Sequence, residues 1–170
     1  IKTAVNPEPM APMQLKVMKA AAIASKATGL TVGTHTCAGV PALQIIALLE
    51  QNDVDPAKWI FIHAHQEQDF DLIEMAARSG CWIELDGLGN STDGEILTIL
   101  LKLLDRGFGG QVLLSHDAGW YTVGTPGGGE PRGYTYLSEH FLPLMRSYGV
   151  DDATINQITI ENPARALAFD

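Results

Sequence analysis

Two histidines and two aspartates stand at the ends of short apolar segments: His35, His63, Asp86 and Asp117. Imidazole and carboxylate groups bind zinc, and three such ligands leave a position open for water. Each residue also has a structural interpretation, because a single histidine can hydrogen-bond a loop carbonyl and an aspartate can cap a following helix. Their recurrence at successive segment ends favours a site with His35, His63 and Asp117 as metal ligands.

The elements that would position these residues alternate between strand and helix. Apolar runs predict strands at 30–35, 59–63, 81–86 and 111–117. Apolar residues at helical spacing predict helices at 11–28, 41–51, 69–79 and from 92 to about 107. The last helix opens with Thr92-x-x-Glu95, which resembles a capping box. One crossover helix fits between successive strands, so the strands should be parallel and their carboxyl ends should carry the site.

The segment 118–133 has a different character. It contains six glycines and two prolines and shows no helical period, and long loops of this kind are usually functional or mobile. Trp120 and Tyr121 at its start would suit an apolar part of a substrate, or would pack the loop itself. Helical patterns follow at about 135–148 and 151–157, before a tail that begins at Glu161.

Composition excludes several classes of partner. The 170 residues include 11 basic and 20 acidic side chains, a net charge of −9, which argues against nucleic acid or an anionic membrane surface. No apolar run approaches the roughly 18 residues that span a bilayer. Cys37 and Cys81 make no disulfide framework and no CxxC pair, so we interpret both as buried, inert thiols in a reducing, cytoplasmic compartment.

Four motifs together resemble the phosphotriesterase family of the amidohydrolase superfamily. They are Thr34-His35-Thr36, Ile62-His63, Ser115-His116-Asp117 and the segment Glu161-Asn162-Pro163-Ala164-Arg165. The resemblance implies an α/β fold, a (β/α)8 TIM-type barrel about twice as long as this chain. Residues 1–170 would then be part of one hydrolase barrel domain, from barrel strand four onward, with strands one to three absent from this chain.

The same resemblance implies a set of metal ligands. Ile1-Lys2 matches the family pair whose lysine, carboxylated to a carbamate, bridges two divalent ions, with zinc expected first and manganese, cobalt or iron as alternatives. His35 and His63 would hold the more exposed ion, and Asp117 would hold the more buried ion and accept a proton. The family's His-x-His motif of strand one has no counterpart here, because His63-Ala64-His65 aligns with strand six.

Two departures from the family pattern affect the expected substrate. Gly87 stands where the phosphotriesterase proper has a proton-relay histidine, and Gln66 lies near its acidic relay position. These departures favour a lactone or carboxylic ester substrate, with promiscuous organophosphate hydrolysis. A true phosphotriesterase remains an alternative, as does a metal-free barrel that acts as a binding protein. By resemblance, the partners are a small-molecule ester and a second copy in a homodimer.

Overall fold

The computed structural model describes residues 1–90, 92–130 and 133–169. Five short parallel strands form its sheet, and neighbouring strands follow one another in the chain. The strands are β1 (Lys2–Ala4), β2 (Val32–His35), β3 (Trp59–Ile62), β4 (Trp82–Leu85) and β5 (Val112–Leu114). The parallel order confirms the predicted α/β architecture. Only the central part of the predicted strand 111–117 is extended, because Gly109–Gln111 forms a 3₁₀ turn.

A single helix makes each long crossover between strands. The four helices are α1 (Pro12–Thr28), α2 (Gly39–Gln51), α3 (Phe70–Arg78) and α4 (Asp93–Asp105). The first ends at Gly29, whose φ of 73° is the left-handed conformation that glycine adopts readily. Thr92 precedes α4, but the predicted capping box is wrong, since the Thr92 hydroxyl donates to the carbonyl of Gly87 instead.

The main core lies between the sheet and these helices. Phe61, Ile83 and Val112 belong to it from the strands, and Leu49 and Leu100 from the helices. The residues that alternate with them face the other side of the sheet, where a smaller cluster contains Ile60, Trp82, Leu113 and Ala166. Lys2 is level with Ile60 in the strand register, through Gly33 of β2. His35 is level with Ile62, which lies on the same face as Ile60. Lys2 and His35 therefore share this second face.

The carboxyl-terminal region is more helical than the sequence indicates. A π-helical segment (Leu137–Phe141) leads into α5 (Leu142–Ser147), and α6 (Asp152–Asn156) continues through a second π-helical segment (Gln157–Glu161) into α7 (Asn162–Leu167). The tail from Glu161 is therefore helical. Pro163 lies where the second π-helical segment passes into α7, so the helix continues through a residue that has no N–H to donate.

Helix α7 closes the sheet at the amino ends of the strands. Asn162 Nδ2 donates to the carbonyls of Gly109 and Val112, both at 2.8 Å. The Thr31 hydroxyl, just before β2, donates to the carbonyl of Ala166, and the Arg165 guanidinium lies 5.3 Å from the centre of the Trp82 ring. The described part of the chain contains no helix long and apolar enough to cross a membrane.

We predict that Asn162→Ala destabilises the protein by about 2–4 kcal/mol, because two buried carbonyls lose their donor. Urea unfolding measures the change, with Asn156→Ala, at an exposed position on α6, as the matched control. A loss no larger than that of the control would contradict the anchoring role of Asn162.

Candidate active site

The carboxyl ends of the strands carry the polar residues that the sequence singles out. His35 is the last residue of β2, and His63 directly follows β3. Three non-glycine residues at this edge adopt left-handed backbone conformations: Cys37 (φ 60°), His63 (φ 64°) and Asp117 (φ 44°). Such conformations are unfavourable for residues with a β-carbon and tend to cluster at functional sites.

His35 and His63 form the centre of the site. Their ring centroids lie 4.4 Å apart in an edge-to-face arrangement. The Cys37 Sγ lies 3.4 Å from His35 Nε2, and the ligand atoms of His35, Cys37 and His63 all lie within 4.8 Å of one another. Two imidazoles beside a thiol are a donor set that zinc and related ions bind, so these residues fit a divalent metal ion.

A buried carboxylate orients the second histidine. His63 Nδ1 lies 2.8 Å from Asp86 Oδ2, and His65 Nδ1 lies 3.2 Å from Oδ1 of the same carboxylate. Asp86 is 2% exposed and His63 6%. A carboxylate on Nδ1 fixes the imidazole so that Nε2 faces outward as a ligand, which is the usual support of a metal-binding histidine.

His65 occupies the space beside Gly87. A β-carbon at position 87 would lie 2.7 Å from His65 Nε2. A histidine side chain at position 87 would therefore require His65 to move. The glycine at position 87, where the phosphotriesterase proper has a histidine, thus leaves the space that the His65 side chain fills.

The pKa values of the two central histidines move in opposite directions. Burial, followed by the charges of His63 and Lys2, lowers the pKa of His35. The hydrogen bond to Asp86 raises the pKa of His63 against the effect of burial. Burial alone would raise the pKa of Asp86, but the hydrogen bond from His63 and the adjacent His65 outweigh it and lower that pKa.

Asp117 lies beyond β5 at the same edge, outside the close group of His35, Cys37 and His63. Lys2 is the first residue of β1, two residues before that edge, on the sheet face that carries His35. Both are exposed, and the charges of both reach His35 and His63, where they shift the pKa of each imidazole. The Asp117 carbonyl accepts a hydrogen bond from Trp120 Nε1 at 2.9 Å, which holds the start of the long loop. The structure thus brings the two histidines into contact, with Lys2 and Asp117 around them.

Sequence reasoning missed two contributors and misjudged a third. Cys37 is half-buried at the site, so the expectation that it is buried is wrong, although burial and the charges of Asp86 and Asp117 raise the pKa of its thiol. Cys81 is fully buried, and burial raises its pKa to about 12. His65, which the sequence analysis does not place in the site, contacts Asp86. Glu67 was not considered, yet its Oε2 accepts from the Gly39 N–H at 2.5 Å and its Oε1 from Asp69 N–H at 2.8 Å.

The remaining polar candidates serve the surrounding structure. Ser115 donates to Glu84 at 2.9 Å, and burial raises the pKa of that carboxyl. His116 Nε2 accepts a hydrogen bond from the Leu137 N–H at 2.9 Å, which joins the end of β5 to the helical segment beyond the long loop. His140 is exposed, and its ring lies 4.7 Å from the Tyr136 ring in a tilted arrangement.

A family model described as "Phosphotriesterase family" matches residues 1–167. The chain belongs to the phosphotriesterase family. This membership confirms the resemblance drawn from the four motifs. The chain is 31% identical over 157 residues to a phosphotriesterase homology protein of Escherichia coli K12, with 91% of this chain and 53% of the relative covered. A phospho-furanose lactonase of Mycoplasmopsis synoviae is 30% identical over 166 residues, covering 93% and 47%.

Solved structures show the same family fold. A lactonase from Listeria monocytogenes superposes with a TM-score of 0.88 at 23% identity, covering 99% of this chain and 54% of that one. An organophosphorus hydrolase from Deinococcus radiodurans gives a TM-score of 0.82 at 27% identity, covering 99% and 55%. The chain therefore spans about half the length of the phosphotriesterase-family proteins that it matches.

We predict that the two histidines titrate on opposite sides of pH 6.5, the ordinary imidazole pKa, in the metal-free protein. At that pH His63 is mostly protonated and His35 mostly neutral. Asp86→Asn should lower the pKa of His63, because the carboxylate no longer stabilises the imidazolium.

NMR of the imidazole protons against pH measures both values, with the exposed Asp71→Asn as control. A His63 pKa at or below 6.5, or one that Asp86→Asn leaves unchanged, would show that Asp86 does not govern this imidazole.

Proposed function

We propose that this chain is the carboxyl-terminal part of a metal-dependent hydrolase that opens lactones or cleaves carboxylic esters. The observation that carries the proposal is the contact between His35 and His63 at neighbouring strand ends, with Asp86 holding His63. Family membership and a relative named as a phospho-furanose lactonase support the hydrolytic class.

The ligand assignment is the one that the family resemblance implies. His35 and His63 would hold the more exposed of two divalent ions, Lys2 as a carbamate would bridge both, and Asp117 would hold the more buried ion. Zinc suits imidazole and carboxylate donors, and manganese, cobalt and iron accept the same ligands. When bound, such ions lower the pKa of a water molecule and polarise the carbonyl oxygen of the substrate.

The chain's own residues would perform the steps around the reacting atoms. A carboxylate oxygen of Asp117 would accept the proton that the attacking water loses, which is the role of a general base. Asp86 keeps His63 in one orientation during this transfer. His35, whose pKa is lowered, stays neutral and available as a ligand near neutral pH.

The long loop supplies an apolar surface beside the site. Trp120 and Tyr121 are 69% and 70% exposed, and Val123 is 89% exposed. The loop begins at Asp117, so these side chains can cover the acyl part of a substrate whose carbonyl lies at the strand ends. An apolar acyl chain with one polar group suits this arrangement better than a highly charged substrate.

The domain assignment is part of the same proposal. Five strands are too few to close a TIM-type barrel, which needs eight. The face that carries Ile60, Trp82 and Leu113 would then meet the inner faces of strands one to three, which would also supply the remaining two histidine ligands. Homodimer formation and cytoplasmic location stay predictions.

We predict that Asp117→Asn lowers kcat by about 10²–10⁴-fold, because an amide cannot accept the proton. The fold should persist, since Asp117 is exposed. Steady-state kinetics of the complete gene product, with circular dichroism for the fold, measure the effect. Asp105→Asn, exposed at the end of α4, is the matched control. Turnover like that of the control would remove Asp117 from the mechanism.

We predict a kcat/KM for an aliphatic lactone at least about tenfold above that for an aryl phosphotriester, because the relay position is Gly87. The reverse ranking would favour the phosphotriesterase alternative, which the organophosphorus hydrolase structure at 27% identity keeps open.

Metal analysis of the same preparation tests the remaining alternative, a metal-free barrel that acts as a binding protein. Less than one ion per chain, with no activation by zinc or manganese, would indicate a binding protein instead.

A further inference from the structure

We propose that the Cys37 sulfur is a further protein ligand of the ion held by His35 and His63, beside the Lys2 carbamate, so that this subsite joins a cysteine to its two histidines. The proposal rests on the proposed function in one respect, since it requires that this edge binds metal. It goes further by assigning a ligand that neither the motifs nor the family match includes.

The distance between Cys37 and His35 is that of two ligands that share an ion. Zinc lies about 2.1 Å from an imidazole nitrogen and about 2.3 Å from a cysteine sulfur, which places two such ligands about 3.6 Å apart at a tetrahedral angle. The Cys37 Sγ and His35 Nε2 are 3.4 Å apart. The three ligand atoms of His35, Cys37 and His63 all lie within 4.8 Å of one another, so the group would have to contract around a shared ion.

The backbone around Cys37 holds the thiol at this place. On one side, the Thr36 hydroxyl donates to the Thr34 carbonyl at 2.8 Å, and the Thr36 N–H lies 3.4 Å from the Ile62 carbonyl. On the other side, the Gly39 N–H donates to Glu67. A β-carbon at Gly39 would lie 2.4 Å from the Leu72 β-carbon, so α3 packs tightly against the start of α2. This packing keeps Cys37 in its left-handed conformation.

Two other uses of the thiol fit less well. In the metal-free protein the Cys37 thiol and His35 Nε2 form a hydrogen bond, but that nitrogen is no longer an acceptor once it binds an ion. A disulfide with Cys81 would require that residue to leave a fully buried position, where its thiol donates to the Ala76 carbonyl. On coordination the thiol releases its proton to solvent, and a sulfur lone pair forms the bond to the ion. A thiolate ligand favours zinc and cobalt over the harder manganese.

Cobalt(II) substitution of the complete gene product tests the proposal directly, because a cobalt–thiolate bond gives a sulfur-to-metal charge-transfer band in the near ultraviolet. We expect the band in the wild type and in Cys81→Ala, the matched thiol control. Cys37→Ala and Cys37→Ser should both lack it. Zinc affinity should fall by at least about tenfold in Cys37→Ala, while manganese affinity changes little. In the zinc-loaded wild type, Cys37 should be protected from a thiol reagent, and a chelator should restore its reactivity.

The outcomes separate this proposal from the proposed function. Cobalt binding, visible in the ligand-field bands, without a charge-transfer band would overturn the role of Cys37 and leave the metal-dependent hydrolase intact. A band that persists in Cys37→Ala would overturn it as well. Failure to bind cobalt or zinc at all would overturn both proposals.

Discussion

Because the five strands run parallel and in sequence order, every crossover must return the chain to the same end of the sheet. The carboxyl ends of β2 and β3 therefore lie side by side, although His35 and His63 are separated by a complete helix. This constraint decides where chemistry can occur. At the opposite end of the sheet, interactions of Asn162, Thr31 and Arg165 join α7 to the starts of β5, β2 and β4.

The buried carboxylate of Asp86 connects the core of the sheet to the exposed edge. A charge at 2% exposure is costly unless it is paired. His63 supplies the pairing hydrogen bond, and His65 lies against the other oxygen. The hydrogen bond that pairs the buried Asp86 carboxylate is thus the same one that orients the imidazole of His63. Gly87 belongs to this arrangement because it leaves the space that His65 occupies.

Strand and helix positions were predictable because each depends on local periodicity and on glycines that end helices. The strand-end residues followed from the same pattern. The role of Cys37 was not predictable, since a residue two positions beyond His35 approaches it only when the backbone turns left-handed. The helical continuation through Pro163 was missed for a similar reason, because it depends on tertiary bonds from Asn162 to Gly109 and Val112. The periodicity of apolar residues in the sequence does not reveal such tertiary contacts.

The attachment of α7 also bears on the order in which the molecule assembles. The hydrogen bond between Thr31 and Ala166 joins residues 135 positions apart, whereas each strand pairs with its neighbour across one short crossover. Contacts of high sequence separation form late, because closing a long segment of chain loses more entropy than closing a short one. The carboxyl edge of the sheet can therefore take shape repeat by repeat as the chain leaves the ribosome, while the opposite end stays open until α7 has been synthesised.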